Sequence, residues 1–124
     1  MADKVVDASA LAAIAFQEPE EIDLRAQLTG HRWLSSSLLP YEMANVCWKK
    51  MRKHASDRAK IFDQFLVSRD VPVELHDVDF SQVVPLADQC DLTVYDASYL
   101  WLARRYGLDL VTLDGELAKA AKSI

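Results

Sequence analysis

Lys4-Val5-Val6-Asp7-Ala8-Ser9-Ala10-Leu11 is the stretch that decides the fold. Residues 4 to 7 read as a short buried strand. From Ala8 to Phe16 the apolar density runs on too long for a strand and fits a buried helix. An apolar segment therefore hands over to a helical one at a single acid, Asp7, and that kind of handover recurs three times. Glu42 follows the apolar run from Trp33 to Leu39, Asp96 opens the helical pattern from Ala97 to Arg105, and Asp114 follows Leu108 to Leu113. If the strands are parallel, their carboxyl ends share one edge, and in an open α/β sheet the ligand crevice lies outside that edge. Four acids distant in sequence then converge with no basic partner among them.

Outward from this stretch, strand and helix patterns alternate. Pro19 breaks or restarts the first helix. In the segment Glu20 to Leu28, Ile22, Leu24 and Leu28 form the apolar side, and Thr29-Gly30 is a stop signal. A second strand is expected near Arg32 to Ser36. An amphipathic helix follows from about Leu38 to His54, with Pro40 in its first turn and a basic far end. Ser56 is the expected cap of the next helix, whose buried stripe would be Ala59, Phe62, Phe65 and Leu66. Val71 to His76 reads as the third strand. A helix ends near Cys90-Asp91, with Pro85 implying a kink or a late start. Tyr95 to Tyr106 is a helix closed by Gly107, Leu108 to Leu113 a strand, and Glu116 to Lys122 a last helix. The pattern predicts one domain over 1–124, an α/β fold in which a central parallel sheet is flanked by helices in three layers.

Composition sets the outer limits. A chain of 124 residues with 51% hydrophobic and 27% charged residues can bury a core of its own. The net charge of −5 argues against a broad electrostatic attraction to nucleic acid, although a basic patch can coexist with an acidic pocket. Cys47 and Cys90 stand singly in helical patterns and read as small core residues of a reduced, cytoplasmic protein. No secretory signal pattern and no run of 18 apolar residues occurs, so membrane insertion is not expected.

Two carboxylates about 4 Å apart repel by roughly 4 kcal/mol at an effective dielectric near 20, so a cluster of four must hold protons or a cation. All-oxygen sites suit Mg2+ or Mn2+, which bridge carboxylates to phosphate oxygens. The competing explanation is structural, because Asp is a favoured N-cap and acids in a first helical turn interact well with the helix dipole. Capping alone would account for Asp96 and Asp114. It accounts least for Glu42, which lies among Tyr41, Met43 and Val46, where an unpaired carboxylate is costly.

Four motifs carry a resemblance: Val-Val-Asp-Ala-Ser-Ala-Leu at 5 to 11, Ser-Ser-Leu-Leu-Pro-Tyr-Glu-Met-Ala-Asn at 36 to 45, Leu-Thr-Val-Tyr-Asp-Ala-Ser-Tyr-Leu at 92 to 100, and Leu-Val-Thr-Leu-Asp at 110 to 114. In this order and context they resemble the PIN domain nucleases, specifically VapC-type toxins, over nearly the whole chain. The resemblance implies that Asp7, Glu42, Asp96 and Asp114 are the catalytic and metal-binding acids. Ser9 and Thr112 match the hydroxyls beside the first and last of them, and Glu116 a further acid of some relatives. It also implies an RNA substrate, a small antitoxin partner and a homodimer. Family members usually continue into a last strand beyond the final helix, so the sheet is expected to lack that edge strand.

Other features admit two readings. The run Lys49, Lys50, Arg52, Lys53, His54, Arg58 and Lys60, and the pair Arg104-Arg105, would track a nucleic-acid backbone or serve as solvated helix faces and ends. Trp48, Tyr95, Tyr99 and Trp101 would stack on bases or pack in the core. His31, His54 and His76 are scattered, as solvated or capping residues would be. The alternatives to a toxin are a PIN-fold nuclease of RNA processing without an antitoxin, or a catalytically silent PIN-fold protein-binding module. A phosphoacceptor receiver domain would need two adjacent acids after its first strand and a Lys where Val-Thr-Leu-Asp stands.

Overall fold

Four strands, β1 (Lys4–Val6), β2 (Trp33–Ser36), β3 (Val73–His76) and β4 (Asp109–Val111), pair in parallel in the order β3-β2-β1-β4. They belong to a computed structural model that describes residues 2–123. Seven α-helices accompany them among the described residues: α1 (Ala8–Ala15), α2 (Glu21–Leu28), α3 (Leu39–Lys53), α4 (Arg58–Ser68), α5 (Phe80–Cys90), α6 (Val94–Tyr106) and α7 (Gly115–Lys122). The chain lays β2 and then β3 to one side of β1, and returns to place β4 on the other. The strand order thus reverses direction at the β1/β4 pair. Ligand crevices of open α/β sheets form at such a reversal.

Adjacent side chains on a strand face opposite ways, and β1 uses this to serve two layers. Val5 packs into a cluster with Leu39, Met43, Tyr99, Leu100 and Leu102, whereas Val6 joins Ile14, Leu24, Leu28 and Val111 on the other. β1 and β4 are held in register as Val5↔Leu110 and Val6↔Val111, so Asp7 and Thr112 emerge side by side. The helix ends follow local chemistry. Gly107 closes α6 at φ 64°, in the left-handed region that glycine enters without a Cβ penalty, and Asp91 closes α5 in the same region.

Several expectations are corrected. Ser56 caps nothing; it lies in a short 3-10 turn, Ala55–Asp57, and α4 begins without a side-chain cap. The stripe of α4 that meets the core is Ile61, Phe65 and Ser68, while Ala59, Phe62 and Leu66 are exposed. Ile22 is exposed too, leaving Leu24 and Leu28 to anchor α2. α5 starts at Phe80 behind an Asp79 cap, so Pro85 does not delay it and lies inside the helix. β3, an edge strand, exposes both Glu74 and Leu75 rather than alternating. Cys47 is buried and Cys90 half-buried, both as free thiols.

Candidate active site

At the carboxyl end of β1, Asp7 is only 2% exposed. As the N-cap of α1 it accepts the Ala10 N–H on Oδ1 at 3.0 Å. Ser9 Oγ lies 2.8 and 3.0 Å from its two oxygens, and Thr112 Oγ1 lies 2.5 Å from Oδ2. Each hydroxyl has one proton, and each directs it to Asp7. Their oxygens remain free to accept, and they do so from β4's exit: Ser9 Oγ takes the Leu113 N–H at 2.9 Å and Thr112 Oγ1 the Asp114 N–H at 3.0 Å. Ser9 and Thr112 therefore fasten the ends of β1 and β4 around the first acid. Burial holds the Asp7 carboxyl above the usual carboxylate range, against the lowering effect of the Thr112, Ala10 and Ser9 hydrogen bonds, and the Asp114 charge adds to the rise.

The structural reading of the acids divides at this point. Asp114 caps α7, accepting the Leu117 N–H at 2.8 Å. Asp96, in contrast, caps nothing. Thr93 is the N-cap of α6, its hydroxyl accepting the Asp96 N–H at 3.1 Å, so the Asp96 carboxylate is not needed to cap the helix. Its carboxyl is held above the usual range by burial and then by the charges of Asp114 and Asp7, with the Thr93 hydroxyl opposing the rise. Glu42, in the first turn of α3, accepts the Tyr99 hydroxyl on Oε1 at 2.6 Å. Burial again raises this carboxyl first; the Tyr99 bond opposes the rise, and Asp96 and Asp7 add to it. The four acids thus lie in one another's field at the strand-order reversal, brought there from β1, α3, α6 and the turn after β4.

Of the two readings of Tyr99, base stacking and packing in the core, the structure supports the second. Its ring is fully buried and its hydroxyl serves Glu42; burial and the neighbouring carboxylates push that hydroxyl far above its ordinary range, so it stays a proton donor. Its spacing in Tyr-Asp-Ala-Ser-Tyr, three residues past Asp96, was the available signal. Ser36 and Ser98, also fully buried, meet at 3.0 Å where β2 ends, and this pins α6 beneath the site. Glu116 is exposed in the first turn of α7 and borders a separate depression beside Arg104 and Lys119.

The basic residues lie elsewhere. His54, the C-cap of α3, stands twelve residues beyond Glu42, about 18 Å along the helix axis. Nearby, Lys50 pairs with Glu18 at 2.6 Å, and Arg52 stacks over Trp48. Arg104, at the far end of α6, reaches the last carbonyls of α7, and Arg105 stacks over Trp101. Neither basic group borders the acids.

The donor set suits a hard divalent ion: all its ligating atoms are carboxylate or hydroxyl oxygens, and burial and mutual repulsion, which raise three of the four carboxyls, are what a cation would offset. Among the described residues, no three His, Cys, Asp or Glu side chains already enclose a common point as a closed cage. An ion held partly through water fits that looser arrangement, as magnesium usually is. No helix among the described residues is long and apolar enough to cross a membrane.

Comparison with known proteins agrees with this geometry. The family model of the PIN domain matches residues 4–123. Exonuclease VapC9 of Pyrobaculum aerophilum is 35% identical over 125 residues, covering 95% of this chain and 85% of the relative. Ribonuclease VapC3 of the same organism is 34% identical over 122 residues, covering 93% and 92%. The crystal structure of PAE2754, also from Pyrobaculum aerophilum, superimposes with a TM-score of 0.77 at 34% identity, over 98% of this chain and 89% of that one. VapC20 of Mycobacterium tuberculosis, a sarcin-ricin loop cleaving toxin, shares the fold with a TM-score of 0.66 at 12% identity, over 95% of each chain.

Proposed function

The chain belongs to the PIN domain family, and from that premise we propose that it is a metal-dependent endoribonuclease, the toxin of a toxin-antitoxin pair. One observation carries the reading. Asp96 and Glu42 have no capping role, yet both sit half-buried with raised carboxyl pKa values beside Asp7 and Asp114. Raised carboxyls that cap nothing, gathered at a strand-order reversal, fit a catalytic site better than a structural one. The relatives' names, one a ribonuclease and one an exonuclease, support phosphodiester hydrolysis as the reaction.

In this mechanism Asp7, Asp96, Asp114 and Glu42 would hold one or two magnesium or manganese ions, which would supply an activated water and charge to offset that of the attacked phosphate. Ser9 and Thr112 keep the Asp7 carboxylate in one orientation, since both its oxygens are engaged. Tyr99 occupies Oε1 of Glu42, leaving Oε2 without a protein partner among the described residues and available to orient the attacking water and accept its proton. No covalent nucleophile is required. The partners that follow are RNA as substrate, a small antitoxin that neutralises the enzyme, and a second copy in a homodimer.

The test uses purified protein, freed of any co-purifying partner, with a circular RNA and its linear form in magnesium or manganese. Cutting of the circle, abolished by EDTA and by Asp96→Asn, is expected. An intact circle with digestion of the linear form would replace the endonuclease by an exonuclease. Growth arrest on induced expression, absent in Asp96→Asn, tests the toxin role.

A further inference from the structure

Six of the 14 Lys and Arg residues and one of the 19 Asp and Glu residues lie in 49–60, a formal charge of +5 on a chain whose net charge is −5. The segment comprises the end of α3, the His54 cap, the 3-10 turn Ala55–Asp57 and the first turn of α4. Helix-end electrostatics account for only half of these cations. Lys50, Arg52 and Lys53 stand where the negative end of the α3 dipole favours them. Arg58 and Lys60 stand at the start of α4, where the dipole disfavours a cation and the first turn contains no acid. Neighbouring acids do not neutralise the group either. Lys50 pairs with Glu18, but Lys49, Arg52, Lys53, Arg58 and Lys60 are exposed and have no ion-pair partner among the described residues. The two helix ends form one surface, since Lys50 and His54 on one side and Lys60 on the other border a single depression.

The catalytic acids lack such a surface. No Lys or Arg falls in 5–24, 33–48, 70–103 or 106–118, the stretches that hold the four acids, so beyond any bound cation that site repels the phosphates flanking a scissile bond. The attraction that retains a strand must come from elsewhere on the protein. Glu42 and His54 are about 18 Å apart along the axis of α3, roughly twice the Debye length at physiological salt. The basic segment therefore acts by touching the same strand, not through its field at the acids. At about 3.4 Å per nucleotide of stacked strand, the gap is roughly five nucleotides. Apart from Ala55 and Ala59, every exposed side chain of 49–60 is charged or polar, which suits a phosphate backbone better than the apolar core of a protein interface. We propose that the end of α3 and the start of α4 form a remote RNA exosite, which grips through its phosphates the strand whose scissile phosphate lies at the acids. This rests on the nuclease reading above.

The probes are an unstructured 20-nucleotide RNA, long enough to span both sites, and a four-nucleotide RNA, which is too short. The double variants Lys49→Gln/Lys53→Gln and Arg58→Gln/Lys60→Gln are each expected to raise KM for the long RNA about tenfold, with kcat within about twofold and KM for the short RNA unchanged. Binding of the long RNA, followed by fluorescence anisotropy in the Asp96→Asn background, should lose about 1.4 from its log-log salt slope in each. Circular dichroism verifies the fold of each variant. Wild-type KM and salt slope on the long RNA would overturn the inference, and would assign the surface to a protein partner if the variants no longer retain one. An equal loss on the short RNA would also overturn it, because the effect would then lie in the site or the fold. Wild-type protein that does not cleave, yet binds the long RNA through these residues, would overturn the nuclease reading and leave the exosite standing.

Discussion

Replacing Tyr99 by Phe removes one oxygen from the interior and, on the reasoning above, disables Glu42 without touching it. The ring is fully buried and stays so, hence no cavity opens. What is lost is a 2.6 Å hydrogen bond to Oε1 of Glu42. A bond to a charged group contributes about 1.5–3 kcal/mol, and a bond between neutral groups about 0.5–1.5 kcal/mol. Stability should therefore fall by about 2 kcal/mol near pH 7 and by less where Glu42 is protonated. Since this bond opposes the burial that raises the Glu42 carboxyl, the variant carboxyl rises further, and the acid limb of the kcat/KM profile moves to higher pH. If Glu42 orients the attacking water, kcat/KM at pH 7 should drop roughly tenfold to a hundredfold, with partial recovery as pH increases. Urea unfolding at pH 5 and 7, and pH-rate profiles of Tyr99→Phe, Glu42→Gln and the double variant, measure these effects. An unchanged acid limb, or Tyr99→Phe costing as much activity in the Glu42→Gln background as alone, would refute the claim that Tyr99 acts through Glu42.

The remaining predictions concern charge, the hydroxyl clasp and one helix end. Folded Asp7, Glu42 and Asp96 bind protons more tightly than their ordinary values of 3.8 and 4.5, so the folded state holds protons that the unfolded chain releases. By linkage, their contribution to stability in EDTA is full below those values and is lost as pH rises through the raised folded values. Magnesium should accordingly raise the melting temperature at pH 7 far more than in mild acid, and an equal rise at both would contradict the raised carboxyls. Asp7→Asn keeps an acceptor for the Ala10 N–H and removes a buried charge; its melting temperature in EDTA at pH 7 should not fall below wild type, while cleavage drops roughly a hundredfold or more. Thr112→Val leaves Asp7 Oδ2 and the Asp114 N–H each short of a partner, and urea unfolding should show a loss of about 1–3 kcal/mol. Gly107→Ala meets no atom within 4 Å but forces a Cβ into φ +64°, so it should cost about 1 kcal/mol in the same assay with cleavage unchanged.

Much of this architecture is written locally, and the sequence conveys it well. Val5-Val6, the three- and four-residue spacing in α3 and the Gly107 stop are decided by neighbours in the chain, and each element lies close to its expected bounds. The acids at the starts of helices are legible for the same reason, although Asp96 follows helix α5 rather than a strand. Exposure within a helix was less so: Ile22, Phe62 and Leu66 look like core residues, yet whether an apolar side chain is covered depends on what packs across from it. The caps of Asp96 and Asp114 could not be told apart by residue type, because both are Asp at a helix start and only the presence of Thr93 at the right backbone angle makes one of them redundant.

By itself, then, the sequence determined which segments are strands and helices, that the acids stand where helices begin, and that no basic residue accompanies them. Only the tertiary structure decided that β4 lies beside β1, that Ser9 and Thr112 close on one carboxylate, and that Tyr99 turns inward to Glu42. Periodicity and capping are carried by contacts within a few residues, whereas these three facts join groups 57 to 105 positions apart. Pairings across such distances depend on strand order and on which layer each helix covers, and those are properties of the folded chain as a whole.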